Sequence, residues 1–424
     1  MKVMDALLGP QCNFLEMRGY WDDAIVRGEQ AAEAARRAKD DWHIGSYSNT
    51  LGSMAARRGD YESARKYYEQ AVDIAKKIGA EQGLAATLHE LGIIAQDQGD
   101  YEMARQRYAE SLEIAKKLGN QSGIASTLHQ LGNISYQQGD YETARQRYAE
   151  SLEIEKKLGS QSGIAGTLHQ LGMIAHQQGD YEIARQRYAE SLAIKRRLGD
   201  QSGIAQTLHN LGAIAQDQGD YETARQRYAE SLEIEKKLGS QSGIAGVLHQ
   251  LGNISYQQGD YETARQRYTE SLEITKKLGD QSMIASTLHQ LGMIAQNQGD
   301  YETARQRYAE SLEIRKRLGD QSGIAKTLHQ LGMIAHQQGD YEIARQRYAE
   351  SLEIKKKLGH QSGIAFTLAQ LALLEEKLGN LDDARRQTSE ALEIFRRINA
   401  PHHVKKAENQ LKRIEDAGKK KRRK

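Results

Sequence analysis

Only two prolines, Pro10 and Pro401, occur in 424 residues. With so few residues that break helices or interrupt strand ladders, long helices joined by short, stereotyped connections are expected. A single cysteine, Cys12, excludes an intramolecular disulfide and a cysteine-based zinc site, and fits a reducing compartment. No apolar run approaches the roughly 18 residues of a membrane helix. The opening MKVMDALLGPQCNF has no apolar signal-peptide core, so a soluble, cytoplasmic chain is expected. Net charge is also small. Of the formal +2, six positive charges lie in the terminal KKKRRK, which leaves the rest at about −4. A body of that charge has no general attraction for nucleic acid. Neither an HExxH pair, nor an EF-hand loop, nor a Ser-His-Asp set in a distinct context is present.

What is present is repetition. Apolar residues make up 38% and charged residues 27% of a chain too long for one compact core. Gly-Asp-Tyr recurs every 40 residues from Gly59 to Gly339, flanked by the degenerate Gly19-Tyr20-Trp21 and Gly379-Asn380-Leu381. Ten units thus fill 1–400 with no linker. In the unit 123–160, Ile124, Leu128, Leu131 and the small Ser135 follow helical spacing, as do Tyr141, Ala144, Tyr148 and Leu152. Gly139 suits a left-handed helix end, Asp140 an N-cap, and Gly159 a second helix end behind Lys156 and Lys157. Ser122 is expected to cap the next unit, giving helices near 123–138 and 141–158. A lone hairpin cannot bury both apolar faces, whereas stacked hairpins can.

Leu131-Gly132, Gly139-Asp140-Tyr141, Ala144 and Tyr148 resemble the tetratricopeptide repeat, and the match recurs along most of the chain. The 40-residue unit, with Leu128 at the usual aromatic position and no proline between repeats, is similar to the subtype of kinesin light chains, Pins-type polarity adaptors and NB-ARC-type sensor arrays. A period of 40 also suits HEAT repeats, but the Gly-Asp-Tyr turn and the Leu-Gly, Ala and Tyr columns decide against them. The resemblance implies an all-α, right-handed α-α superhelix whose first helices line a concave groove. Pro10 shortens the first helix of the first unit, residues 401–417 form a capping helix with Val404, Ala407, Leu411 and Ile414 inward, and 418–424 form a basic disordered tail.

On the first helix, the face beside the core is 126, 129, 130, 133, 136 and 137. The 126 column varies, with Gln206, Lys326 and Phe366 its larger members. The 133 column includes Asn133, Met173, Asn253, Met293 and Met333, and the 136 column Tyr136, His176, Tyr256 and His336. Whole blocks are otherwise duplicated, 169–192 as 329–352 and 141–166 as 221–246. Variation concentrated on this face suits recognition, and drift at unconstrained positions is the alternative. A second column, Ala115, Glu155, Lys195, Glu235, Thr275 and Arg315, also varies and reads as an outer surface.

The 129 column is uniform: His89, His129, His169, His209, His249, His289 and His329, beside a mostly amide column. Metal binding is disfavoured. Equivalent helices lie roughly 8–10 Å or more apart, zinc needs ligands converging at about 2 Å, and His169 and His176 are two helical turns apart. A histidine bonded to the neighbouring repeat and a histidine touching ligand both remain open. Below about pH 6.5 such a ladder is expected to gain charge and favour acidic partners.

The carboxylates Asp140, Glu142, Glu150 and Glu153 sit with Arg145, Arg147, Lys156 and Lys157 on an expected solvated face. The stretch GDQSGIAKT, 319–327, imitates a phosphate loop, but only three residues separate its glycines and its sister turns lack the lysine. The expected function is a non-enzymatic scaffold for a protein or peptide, without cofactor, metal or small-molecule substrate. The alternative is the ligand-sensing array of a split or truncated NB-ARC/STAND-type signalling ATPase. The tail 419–424 is the one place open to nucleic acid or acidic membrane, and self-association stays open.

Overall fold

The computed structural model describes residues 21–422, and the expectation for Pro10 falls outside them. Twenty α-helices and no strand occur among the described residues. Helix α1, Trp21–Arg37, precedes nine hairpins. Their first helices are α2 Asp41–Arg58, α4 Glu81–Asp97, α6 Gln121–Gln137, α8 Gln161–Gln177, α10 Gln201–Asp217, α12 Gln241–Gln257, α14 Gln281–Asn297, α16 Gln321–Gln338 and α18 Gln361–Leu378. Their second helices are α3 Tyr61–Ile78, α5 Tyr101–Lys117, α7 Tyr141–Leu158, α9 Tyr181–Leu198, α11 Tyr221–Leu238, α13 Tyr261–Leu278, α15 Tyr301–Leu318, α17 Tyr341–Lys357 and α19 Leu381–Arg397. Helix α20, Pro401–Arg422, closes the series. The chain divides into two compact units, 1–214 and 215–424, built in the same way.

Each turn follows from its residues. Gly139 takes φ +80°, a region costly for a side chain, and lets Asp140 N–H reach back to Ser135 O at 2.9 Å. Asp140 then accepts from Thr143 N–H at 3.1 Å and opens α7. Gly159, at φ +68°, ends α7 in the same manner. The next cap is Asn120 rather than Ser122: its Oδ1 accepts from Gly123 N–H at 3.0 Å, so α6 starts two residues earlier than expected, at Gln121.

In eight of the nine hairpins a second-helix tyrosine is the core, and in the last Thr388 takes its place. Tyr148 and Ala144 are fully buried, and Gly132 gives the ring its room on α6. Within each unit one hairpin then packs on the next, through residues such as Leu152, Ile164 and Leu168 in the first and Leu272, Ile284 and Leu288 in the second. Ile134 is more deeply buried than any of the four first-helix positions expected in the core.

The cap helix packs by one face. Ala407 and Ile414 are buried, with Val404 and Leu411 half-buried. Arg413 forks onto Glu376 with two contacts of 2.9 Å, fastening α20 to α18. Its length does not match: residues 418–422, expected to be disordered, continue the helix, and 423–424 lie outside the described residues.

Candidate functional site on the first-helix face

First helices touch one another directly where α4 meets α6, α6 meets α8 and α16 meets α18. Their facing side chains form a polar ladder. His89 Nδ1 lies 3.2 Å from Thr127 Oγ1, His129 Nδ1 2.9 Å from Thr167 Oγ1, and His169 Nδ1 3.2 Å from Thr207 Oγ1. In the second unit, His249, His289 and His329 meet Thr287, Thr327 and Thr367 at 3.1, 3.2 and 3.2 Å. The six threonines are buried. In the threonine column of the sequence, position 247 is Val247. Each of these six histidine rings also packs on its own hairpin's core tyrosine, as His129 on Tyr148 at 5.3 Å. The column is therefore a seam between repeats.

That placement corrects the expected pH response. Burial lowers the histidine pKa throughout, to about 4 for His129, His249 and His329 and to about 3 for His169 and His289. Lys195 adds to the effect at His169, and Arg315 and Lys326 add to it at His289. These five rings stay neutral at pH 6 and draw no acidic partner by charging, and burial shifts His89 and His209 in the same direction. Among the described residues no group of three or more His, Cys, Asp or Glu is arranged to hold a metal ion.

The column read as an outer surface is the second correction. Glu155, Lys195, Thr275, Arg315 and Lys355 are buried, Glu235 half-buried. Each lies at the seam to the next first helix. Lys195 Nζ donates to Thr207 Oγ1 at 3.0 Å and Lys355 Nζ to Thr367 Oγ1 at 2.8 Å. Arg315 bonds Asp320 at 2.9 Å and Ser311 at 3.1 Å. The glycine at the next helix's start makes the space: a Cβ on Gly163 would stand 2.7 Å from Glu155 Oε1. Where the column shortens to Thr275, the glycine becomes Met283.

The 133 and 136 columns hold a similar coupling. Tyr148 and Tyr268 donate their hydroxyls to Asn133 and Asn253, each at 2.6 Å. In hairpins with an apolar 133 position, Tyr108, Tyr228 and Tyr308 bond instead to Gln96, Gln216 and Gln296 in the 136 column, at 3.2, 3.2 and 2.9 Å. With Met333 and His336 in those places, the Tyr348 hydroxyl is buried without a partner. Part of the variation on this face thus answers the buried tyrosine.

What remains available is uneven. Tyr136 and Tyr256 are half-buried beside Tyr141 and Tyr261 at 5.5 and 5.6 Å. His176 and His336 lie against Tyr181 and Tyr341 at 5.9 and 6.0 Å. Met173, Met293 and Met333 are half-buried at the edge of the tyrosine clusters. Gln206 and Lys326 are exposed. Phe366 instead turns toward the cap, edge-on to Phe395 at 5.4 Å and His403 at 4.7 Å. In the second unit one cavity of about 560 Å³ gathers six of the singled-out residues: His249, Asn253, Tyr256, His289, Met293 and Lys326. Arg315 joins its lining, and no carboxylate does.

A stacked-hairpin fold whose first-helix face is held in register by repeat-to-repeat hydrogen bonds defines a repeat scaffold. The chain belongs to the tetratricopeptide repeat family, whose pattern matches residues 4–77, 43–117, 83–157, 123–197, 163–237, 203–277 and 283–357. Residues 332–414 also match the pattern of anaphase-promoting complex subunit 5. No curated protein matches the sequence. Among solved structures the chain is similar to a STAND protein with a tetratricopeptide repeat sensor from Pyrococcus horikoshii, at TM-score 0.62 and 14% identity over 87% of this chain and 55% of that one. It is also similar to the apo quorum sensor NprR from B. thuringiensis, at 0.59 and 16% over 82% and 97%. A third is aspartyl phosphate phosphatase F from Bacillus subtilis, at 0.57 and 13% over 82% and 94%. No described helix is long and apolar enough to cross a membrane.

Proposed function

We propose that the first-helix face binds a segment of a partner protein or a peptide, and that the chain acts as a non-catalytic interaction scaffold. The observation that carries this reading is the cavity on α12, α14 and the start of α16, where Tyr256, Met293 and Lys326 offer an aromatic face, a thioether and a cation within one concavity. Such a mixture suits a peptide, with apolar area for affinity and a few polar groups for orientation. The fixed histidine–threonine seam favours this by holding the surface ready before binding. Two of the three structural neighbours are named sensors, which supports the fold as a platform for ligands and leaves the ligand to this chain's own residues. A second reading, the sensing array of a STAND-type ATPase system, draws on the Pyrococcus horikoshii protein, over half of which this chain covers.

The test compares proteins captured from a native lysate by the full chain and by the Tyr256→Ala, Met293→Ala and Lys326→Ala triple variant. A partner held by the first chain and lost by the second, with unchanged circular dichroism, is the expected result. Equal recovery of every partner places the site elsewhere.

A further inference from the structure

At several seams a long side chain lies over the glycine that opens the next first helix, as Glu155 does over Gly163 and Lys195 over Gly203. The seam between α3 and α4, in the first unit, lacks that cover. Its covering position is Ala75. Gly83, the glycine there, has nothing within 4 Å of an added Cβ and is exposed, whereas Gly163 and Gly203 are half-buried and Gly323 is buried. Ala115 at the next seam is equally short, but there the cap Asn120 brings its amide 2.9 Å from the Cβ position of Gly123. Between α3 and α4 the cap is Ala80, which has no side chain to lend. The hydroxyl that Ser111 donates to Ala85 O at 2.8 Å is also missing, because Ala71 stands in its place.

Three shortened side chains at one seam leave a cavity of about 240 Å³ against α2, α3 and α4. Ala71, Ile74 and Ile78 contribute apolar wall. Trp42, 62% exposed, joins the lining where the sister first helices carry Gln82, Ser122 or Ser162. None of the lining residues is ionisable. The carboxylates beside it are already paired, Asp41 with Lys77 at 2.7 Å and Glu81 with Lys117. Thr87 Oγ1 lies 3.1 Å from Asn49 Oδ1, which leaves the Asn49 amide NH2 as a donor in the lining.

We propose that this cavity is a binding site for a small, neutral aromatic molecule of two fused rings carrying one hydrogen-bond acceptor. Its volume sets the size. An apolar cavity of about 150 Å³ takes one benzene, and pockets for drug-sized ligands begin near about 300 Å³. The exposed indole of Trp42 gives an aromatic ring a face or edge to pack on. An ionised ligand would surrender hydration to walls that offer no counter-charge. The acceptor meets the Asn49 amide. This site lies within the first unit and does not depend on the cavity at Tyr256, Met293 and Lys326.

The test titrates the full chain with 2-naphthol by calorimetry, with 2-naphthoate and the peptide Gly-Trp-Gly as comparisons. One 2-naphthol per chain is expected to bind, at least about tenfold more tightly than 2-naphthoate. Gly83→Met puts a long side chain into the open slot, as Met283 replaces the glycine where Thr275 is short. It is expected to abolish binding and to raise the melting temperature, since it meets no neighbour and removes a helical glycine. Trp42→Ala, on an exposed side chain, is expected to weaken binding by about tenfold with the melting temperature unchanged, and it decides the matter should Gly83→Met unfold. Undiminished binding in Gly83→Met, or no saturable binding by the unaltered chain up to the solubility limit of 2-naphthol, overturns the site. Equal affinity for 2-naphthoate overturns the neutral ligand. Gly-Trp-Gly binding as tightly as 2-naphthol would make the cavity an anchor for a peptide side chain and overturn the small molecule.

Discussion

Two glycines on neighbouring first helices show how differently one residue type is constrained. A Cβ on Gly132 would stand 2.7 and 2.8 Å from the Tyr148 ring, and that ring is fully buried with its hydroxyl tied to Asn133. Neither partner has room to give, so overpacking outweighs the helix propensity gained by alanine. Gly166, in the varying 126 column, has nothing within 4 Å of the same position. Gly132→Ala is therefore expected to lose about 1–2 kcal/mol, and Gly166→Ala to gain about 0.5–1 kcal/mol. Urea midpoints of the two variants should move in opposite directions, and a shift of the same sign in both would refute the packing account.

At the scale of the element, the unit of design is the seam between a second helix and the next first helix. Glu155 passes over Gly163 with its Oε2 buried and unpartnered, and burial raises its pKa. The Thr275–Met283 seam solves the same problem with a short side chain and a long one exchanged. Gly163→Met alone is expected to cost about 1–3 kcal/mol by collision with Glu155. Glu155→Thr alone should be nearly neutral, since it also removes an unsatisfied carboxylate oxygen. Combined, they should recover most of the loss, with a coupling of at least about 1 kcal/mol in a double-mutant cycle. Additive effects would separate the two positions. The seam also shows what the sequence displayed and what it hid. The Gly-Asp-Tyr turn, the Asp140 cap and the Tyr148 column were legible because each is local and repeated. The Glu155 column was read as surface because lysine, arginine and glutamate are rarely buried, and nothing local reveals that a glycine eight residues on has opened a slot. The site was legible as a set of columns. It was not legible that Asn133 and Gln96 serve a buried tyrosine, because that bond crosses between the two helices of a hairpin.

For the molecule as a whole, the histidine seam sets the response to acid. Each unit carries three threonine-bonded histidines: His89, His129 and His169 in the first, and His249, His289 and His329 in the second. All six have lowered pKa values because burial disfavours the charged ring. Above about pH 6.5, the ordinary value, folded and unfolded chains are both neutral at these rings and nothing is lost. As pH falls through that value the unfolded chain takes up protons that the folded seam refuses, and stability drops by up to about 1.4 kcal/mol per pH unit for each histidine. The loss continues until the folded rings themselves protonate, near pH 4 for His129, His249 and His329 and near 3 for His169 and His289. The cap aspartates Asp140 and Asp260 have pKa values held below the usual carboxylate range by Thr143 and Thr263, so they do not contribute between pH 6.5 and 5. A melting temperature measured from pH 7.5 to 4.5 is thus expected to be level at first and then to fall steeply below about pH 6.5. Replacing His129 and His249 with glutamine keeps a hydrogen-bonding group near Thr167 and Thr287 and should flatten that fall while lowering the plateau. A melting temperature that stays level to pH 5 in the unaltered chain would mean that water reaches these rings and that the seam is open.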